Sequence, residues 1–497
     1  MCRKQSLLVI SVLLVSCTVG PDYHRPGVTM PAQFKEAKGK SFIPEAKKDW
    51  KLAEPRDQID RGQWWKIFHD SELDALEDQL NHYNQSIAKA LAIYDQSISI
   101  VNEARAAYLP TLVGAFNLFR QRQGGGATSF FSSSGGTTST TTNGSVSPKA
   151  TTNTTYSAFL TANWEPDIWG LVRRTVEGDV AAAQANQALL AATALSAQGS
   201  LAQYYFELRA LDRDQQLLNY TVNSYKKAFR LTRNLYAAGV VSRADILQAQ
   251  SQLENAKAQA INNGILRGQY EHAIAVLIGR PPANFAMIFR PLTAKPPVIP
   301  VTVPSVWLER RPDVAQAERL MHQANAQIGV ACAAYYPTLN LSASVSAAAS
   351  SFGKLFSAPA IGWSAGLQLA QTIFDGGLRY ATLMAAKAGY MAQIANYRQT
   401  VLSAFQNVED NLIALRLLKQ QGIVQNAAAV SAVKALELVM NQYKSGIVPY
   451  SNVILAQITA YTAQKAAYDV VGLQMTAAVG LVKALGGGWS VLKIASI

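Results

Sequence analysis

The sequence predicts a mainly α-helical chain that also carries a membrane β-barrel part, and it predicts this fold twice, in two similar halves. Residues 106–112 (AAYLPTL) recur as residues 333–339 (AAYYPTL), 227 positions further on. A second landmark, Tyr-x-x-Gly ending at Gly239, recurs at Gly446 with an offset of 207. The offset falls because the Gly/Ser/Thr-rich stretch 121–155 has 35 residues and its counterpart has 15. Such an internal repeat determines the architecture.

Each half contains two segments in which polar and apolar residues alternate. The predicted strands are residues 111–120, 156–165, 338–346 and 362–373. Runs of this length are typical of membrane barrel strands, which are apolar toward lipid and polar toward the lumen. Strands of a soluble sandwich would alternate in the same way. The Ser/Thr-rich surface loop 121–155 and the signal described below favour the membrane.

Four strands per chain are too few to close a barrel. The smallest membrane barrels have about eight strands, and hydrocarbon does not tolerate open sheet edges. Several copies must therefore share one barrel. Two copies would give eight strands and three would give twelve, and strand arithmetic leaves both open.

A long helical stretch follows the strands in each half, at residues 173–236 and 379–443. Apolar residues recur there at spacings of three and four, the pattern of a coiled-coil seam, with Thr232 as a polar interruption. Return helices are predicted at 243–278 and 450–485. Gly239 and Gly446 mark the turns, because glycine readily adopts positive φ. Ser242 and Ser451 are predicted to cap the return helices.

The first residues resemble a bacterial lipoprotein signal. Arg3 and Lys4 precede a short apolar run, and the segment 1–16 ends directly before Cys17, as in a lipobox. We expect Cys17 to carry a covalent lipid and no other cofactor to be bound. Thr18 after the cysteine implies sorting to the outer membrane of a Gram-negative cell. Acyl chains anchor firmly when two or more are present.

Composition excludes several classes of protein. The chain has a net charge of +13, which removal of Arg3 and Lys4 would lower to +11, yet its basic residues are dispersed, so we expect no nucleic acid. No run of 18 apolar residues occurs, which argues against an ordinary membrane helix. The five histidines are scattered, without metal-ligand spacing, and no P-loop or GxSxG motif is present. We expect neither a metal site nor catalysis.

Three signatures together resemble a known family. Residues 17–26 (CTVGPDYHRP), residues 307–314 (WLERRPDV) followed by Glu318, and residues 328–339 occur in this order with the paired glycine turns. The chain is similar to the outer membrane factors, the TolC-like proteins, and specifically to their NodT/OprM lipoprotein branch in tripartite efflux systems. The resemblance covers nearly everything after the signal.

The resemblance implies a homotrimer with a twelve-stranded barrel, a periplasmic coiled-coil tunnel and an equatorial collar. The implied partition is signal 1–16, anchor and collar 17–75, first repeat 76–278, Pro-rich crossing 279–304, second repeat 305–485 and collar tail 486–497. The implied partners are outer-membrane lipid, a periplasmic membrane-fusion adaptor and an inner-membrane pump of the RND type.

The resemblance also implies where the channel closes. The turns 239–245 and 446–452 would lie at the periplasmic tips and contact the adaptor through Gly239, Val240, Val241, Ser242, Gly446, Ile447, Val448 and Pro449. The implied gate constriction consists of Asp245, Asn452 and Leu455. Relatives often carry acidic rings there, but Asn452 and Leu455 are uncharged, which puts a second ring in doubt.

The function implied is that of a passive exit duct for small toxic compounds or drugs. The alternative is the exit duct of a type I protein secretion system, since the same tube serves both in this family.

Overall fold

The computed structural model describes residues 18–27, 34–36, 63–123, 150–294, 296–297 and 311–487. The signal 1–16, the lipidation residue Cys17 and most of the tail 486–497 lie outside these residues, as do the centre of the predicted loop 121–155 and the motif residues 307–310.

Seven α-helices are present in the described ranges, and they are long because alanine and other helix-favouring residues recur without interior proline. They are α1 (Ser71–Tyr83), α2 (Gln85–Ala106), α3 (Leu171–Ala237), α4 (Arg243–Leu277), α5 (Pro312–Ala333), α6 (Leu378–Lys444) and α7 (Tyr450–Ala484). Helices α3 and α6 each have 67 residues, and α4 and α7 each have 35. The equal lengths reproduce the predicted repeat.

The chain divides into two compact units. The sheet unit comprises Met1–Tyr23, Ile100–Asp179 and Asn325–Ala388, and the helical unit comprises His24–Ser99, Val180–Ala324 and Gly389–Ile497. Both units draw on both halves of the sequence, so neither repeat is a separate folding unit.

The sheet unit contains an antiparallel sheet in which the described strands follow the order β1-β2-β3-β4. The strands are β1 (Thr111–Gln123), β2 (Thr151–Trp164), β3 (Thr338–Ala349) and β4 (Ile361–Ala370). All neighbouring pairs are consecutive in the chain. The register joins the two halves, because Leu160 on β2 pairs with Val345 on β3.

Four predicted strand limits are wrong, namely the end of β1, the start of β2 and the ends of β3 and β4. The first hairpin extends into the predicted loop 121–155, since Gln121–Gln123 pair with residues 151–153, where threonine favours the strand. The third strand continues past residue 346 to Ala349, because Ala349 pairs with Tyr156 on β2. The fourth strand ends at Ala370 and not at residue 373, because Ala370 pairs with Thr338, the first residue of β3. Beyond it no neighbouring strand offers a hydrogen-bonding partner within the described sheet.

Strand register sorts the side chains onto two faces. Paired residues share a face, and alternate residues along a strand do too. The apolar face carries Leu112, Phe116, Leu118, Tyr156, Ala158, Leu160, Ala162, Trp164, Leu339, Leu341, Ala343, Val345, Ala347, Ile361, Trp363, Ala365, Leu367 and Leu369. The polar face carries Asn117, Thr155, Ser157, Thr161, Asn163, Asn340, Ser342, Ser344, Ser346, Ser364 and Gln368. Val113, Phe119 and Phe159 interrupt the polar face.

The helical unit has a core in which α1, α3, α4 and α7 meet. Its fully buried side chains include Leu73, Leu201, Phe206, Ile274 and Met475. The polar interruption of the α3 seam is also buried, because the hydroxyl of Thr232 lies 3.3 Å from that of Tyr443 and donates to the carbonyl of Ala228. Threonine is therefore tolerated inside this seam.

Among the described helices, α6 is long and apolar enough to cross a membrane by length and composition, with a mean hydropathy of 1.4 over its most apolar window. Only 6% of that window is buried within the single chain. Length and composition do not distinguish a membrane helix from a helix that neighbouring copies cover.

Candidate functional site

The first predicted tip is a tight turn between α3 and α4. Gly239 has φ +75°, and the N–H of Val240 donates to the carbonyl of Leu235 at 2.9 Å, which ends α3 in a Schellman-type turn. Ser242 then caps α4, as predicted. Its hydroxyl accepts from the N–H of Asp245 at 3.3 Å, and the Asp245 carboxylate accepts from the Ser242 N–H at 2.9 Å. This reciprocal pair is a capping box.

The second tip repeats the turn but not the cap. Gly446 has φ +73°, and the N–H of Ile447 donates to the carbonyl of Gln442 at 2.9 Å. The predicted cap Ser451 is wrong, because α7 begins at Tyr450 and its N-cap residue is Pro449, which offers no side-chain acceptor. The offset of 207 places Pro449, and not Ser451, at the position of Ser242.

The four helix ends pack together behind these turns. Tyr443 on α6 and Tyr450 on α7 are almost fully buried with ring centroids 5.3 Å apart, beside Ala228 on α3, Ala249 on α4 and Val453 on α7. Burial raises the pKa of Tyr450. Within one copy, the tip is therefore a single packed body.

The predicted contact residues lie mostly on the outside of this body. Val240 and Ile447 are 66% and 71% exposed, and Leu455 is 67% exposed. Asn452 is exposed as well, whereas Asp245 is half-buried and engaged in the capping box. Val448 packs against the tip core. Exposed apolar residues at a helix tip are available to other copies or to a partner.

Sequence reasoning missed a buried ionic cluster in the helical unit. The Arg209 side chain is 2% exposed and lies 3.0 Å from Asp212 and 2.6 Å from Glu72. Asp212 also lies 2.7 Å from Arg267 and accepts from the backbone N–H of Arg290 at 2.9 Å. The cluster thereby attaches the Pro-rich crossing to α1, α3 and α4.

A second missed feature is Glu77, which lies on the buried side of α1 between Leu73 and Leu80. The residue is 0% exposed, and neither carboxylate oxygen has a hydrogen-bond partner within the described ranges. Burial, followed by the charges of Asp78 and Asp74, raises the pKa of Glu77 well above its ordinary value of 4.5.

We expect Glu77→Gln to stabilise the protein at neutral pH. Because the folded pKa is above the unfolded value, the folded state holds the proton of Glu77 more tightly than the unfolded chain does, and the stability of the wild type falls as the pH rises from 4.5 toward the folded pKa. Melting temperatures of wild type and variant should thus differ at neutral pH and converge below pH 4.5. The exposed Glu254→Gln is the control, and an equal gain in it would contradict this account.

The two family-like motifs near the sheet contact each other. Arg174 is 4% exposed, lies 2.9 Å from Asp22 and donates to the carbonyls of Val19 and Gly20. A Cβ atom on Gly20 would lie 2.6 Å from the Cα of Gly329, so this approach requires glycine. Residues 18–22 are therefore docked within the sheet unit.

Matching ion pairs mark the two strand-to-helix junctions. The Asp167 carboxylate accepts from the backbone and side-chain nitrogens of Arg173, each at 3.0 Å, before α3. Asp375 accepts in the same way from Arg379 before α6, at 3.2 and 2.6 Å. The Trp169 ring stacks on that of Tyr336 beside the first junction, with ring centroids 4.8 Å apart.

The sheet supplies the last part of the site. Trp164 lies near the helix-junction end of the apolar face, whereas Trp363, which is 80% exposed, lies in the same row as Leu160 and Val345. On the polar face the hydroxyls of Ser344 and Ser364 lie 2.8 Å apart. An apolar band on one face and hydroxyls on the other suit a wall between lipid and water.

Comparison with known proteins identifies this architecture. The sequence model of the outer membrane efflux protein family matches residues 76–280 and 303–487, one match in each half. The chain is 28% identical over 486 residues to the probable efflux pump outer membrane protein TtgC of Pseudomonas putida, covering 97% of this chain and 95% of that one. It is 29% identical to the pyoverdine export outer membrane protein OpmQ of Pseudomonas aeruginosa, covering 98% and 97%.

A solved structure agrees with the sequence relatives. The open state of the MtrE outer membrane channel of Neisseria gonorrhoeae superposes with a TM-score of 0.75 at 27% identity, covering 95% of this chain and 98% of that one. The TolC-like fold, the outer-membrane location and the family resemblance predicted from the sequence are confirmed. The chain belongs to the outer membrane efflux protein family and is the outer-membrane channel component of an efflux system.

Proposed function

We propose that three copies of this chain close one twelve-stranded barrel and form a passive exit duct for small toxic compounds. The observation that carries the proposal is the sheet itself. In the described part of the sheet, the outer edges of β1 and β4 have no strand partner. Because unpaired backbone groups are costly in hydrocarbon, these edges need the edges of other copies. Family membership favours three copies over two.

Exposed apolar residues on the second helical hairpin support the same assembly. Leu402, Leu417, Ile423, Leu438 and Leu473 are all at least 47% exposed in the single chain. So many large apolar side chains exposed on one hairpin indicate an interface. Neighbouring copies would cover it and complete the wall of a periplasmic helical tunnel.

The tips would be the gate. Tyr443, Tyr450 and Val453 hold the four helix ends of one copy together, so opening would move each tip as a body and break contacts between copies. Val240, Ile447 and Leu455 are exposed at the place where such contacts, or an adaptor, would form. Asp245 would add a charge near the constriction, although its carboxylate also caps α4.

We expect Gly446→Ala to increase leakage through the resting channel several-fold while the fold persists. No atom lies within 4 Å of the added Cβ, so the cost comes from the backbone at φ +73° and amounts to about 1–2 kcal/mol, confined to the tip. The measurement is the sensitivity of expressing cells to a large antibiotic that otherwise does not cross the outer membrane.

Gly264→Ala is the matched control for this prediction. Gly264 lies inside α4, its added Cβ also meets no atom within 4 Å, and alanine stabilises a helix interior by about 0.5–1 kcal/mol. If Gly446→Ala assembles normally and is as sensitive to the antibiotic as wild type, the second turn is not part of the gate.

The names of the relatives indicate the kind of cargo and partners. TtgC and OpmQ are named for efflux and pyoverdine export, which favours small molecules over the secreted proteins of a type I system. We infer a periplasmic adaptor, an inner-membrane pump of the RND type, a covalent lipid on Cys17 and no catalysis by this chain. Energy would then come from the pump.

The direct test is deletion in the Gram-negative host. We expect the deletion strain to accumulate dyes and become more sensitive to detergents and antibiotics, and wild type supplied in trans to restore export. Unchanged accumulation together with a loss of one secreted protein would favour the type I alternative over the proposal.

A further inference from the structure

At the hairpin end of the sheet, opposite the helix junctions, the apolar residues of the apolar face are followed by basic residues. The last apolar row there joins Leu118, Tyr156 and Ala349 through the strand register. β1 and β2 pair for five more residues beyond this row. Arg120 and Arg122 lie on that extension, on the same face as Leu118. At about 3.3 Å per residue they are about 7 and 13 Å beyond the row.

The charge at this end has one sign. Residues 111–164 and 338–370 contain four basic residues and no Asp or Glu. The basic residues are Arg120, Arg122, Lys149 and Lys354. Lys149 lies outside the described residues, and the other three are exposed. A neighbouring copy that pairs with β1 would bring the same two stretches, so it could not neutralise these cations with a carboxylate from them.

An aromatic side chain of the β3–β4 turn, Phe352, lies on the same face. The Phe352 ring is 6.2 Å from that of Phe116 and 6.0 Å from that of Tyr156, so the turn folds onto the apolar face. Phe352 and Phe356 are 58% and 71% exposed and flank Lys354. Aromatic rings of membrane barrels gather where the acyl chains meet the headgroups.

These features match the chemistry of the outer leaflet. The helices of the family lie in the periplasm, so the hairpin end faces the outer leaflet, which in Gram-negative cells consists of lipopolysaccharide with phosphorylated headgroups. We propose that Arg120, Arg122 and Lys354 bind these lipid phosphates, while Phe352 and Phe356 contact the acyl chains beneath them.

The free energies of phosphate binding and of placing arginine near lipid both favour this site. A guanidinium group can bind phosphate with two parallel hydrogen bonds. An arginine on the lipid side costs about 2–4 kcal/mol at the bilayer midplane but about 0–1 near the interface, where Arg120 and Arg122 lie. The site does not depend on the cargo of the duct, so either proposal can fail alone.

The test compares lipid binding by the full-length protein in mild detergent. Wild type and the triple variant Arg120→Gln, Arg122→Gln, Lys354→Gln are titrated with lipopolysaccharide, and bound lipid is counted by native mass spectrometry. Since each basic residue near an anionic lipid surface contributes about fivefold in affinity, we expect the triple variant to bind at least about tenfold more weakly. The charge-matched control Lys226→Gln, Lys227→Gln, Arg230→Gln on α3 should bind as wild type does.

Two further arms need no variant. Wild type should bind lipopolysaccharide stripped of its lipid phosphates as weakly as the triple variant binds the intact lipid. Inorganic phosphate alone should not raise the melting temperature of wild type. Equal binding of intact and stripped lipid, equal binding by the triple variant, or stabilisation by free phosphate would each overturn the proposal.

Discussion

Arg209→Met is expected to destabilise the helical unit by about 3–5 kcal/mol, because it removes one partner from a buried ionic cluster. Asp212, which is 0% exposed, would keep Arg267 but lose the guanidinium 3.0 Å away. The carbonyl of Ile288 would lose its donor at 2.7 Å. We expect a clearly lower melting temperature of the helical signal in detergent.

Arg213→Met is the matched control, one turn further along α3. The Arg213 guanidinium lies 4.5 Å from the ring centre of Tyr468, a contact worth about 0.5–1 kcal/mol at an exposed site. If both variants melt at the wild-type temperature, the ionic cluster does not stabilise the attachment of the Pro-rich crossing to the helices.

The second large effect concerns the membrane face of the sheet. Leu160→Lys is expected to reduce assembly in the outer membrane strongly, because a lysine facing lipid near the midplane costs about 2–4 kcal/mol per copy. Leu160 lies midway between Tyr156 and Trp164 on the apolar face and is 46% exposed. The measurement is the amount of assembled protein in the outer-membrane fraction.

Thr161→Lys places the same charge on the next residue of β2. Thr161 pairs with Ser344 on the polar face, where a lysine would face the lumen, so we expect near-normal assembly. A stronger defect in Thr161→Lys than in Leu160→Lys would mean that the two faces are assigned the wrong way round.

The sheet could be predicted from the sequence because its alternation is local. Each strand carries its own two-residue period, and Pro110 and Pro337 separate β1 and β3 from the helices that precede them. The predicted strand limits were wrong where the end of a strand depends on the length of its neighbouring strand. Ala370 ends β4 because Thr338 is the last partner, and that register cannot be read from residues 362–373 alone.

The ionic cluster could not be predicted for a similar reason. Arg209 lies on α3, and its partners Glu72 and Ile288 are far away in the chain, as is Arg267, the second partner of Asp212. Composition does not indicate which charges are buried. By contrast, the Gly20 and Gly329 motifs were visible as resemblances, and the structure supplies their cause, a backbone approach that admits no side chain.

The tips were predicted in part. The two glycine turns could be predicted, because the repeat places a glycine at both positions and both have positive φ. The cap at Ser451 was predicted wrongly, because it was chosen by residue type and not by the repeat offset. The roles of Asp245, Asn452 and Leu455 in a constriction remain predictions, since they concern contacts between copies.

The account depends most directly on the number of copies that share one barrel. The mass of the purified full-length protein in mild detergent, measured by light scattering with the detergent subtracted, tests this number. We predict three times the mass of one processed chain. A stable, folded species with the mass of one chain would contradict the account, because a sheet of four strands would then exist with both edges open.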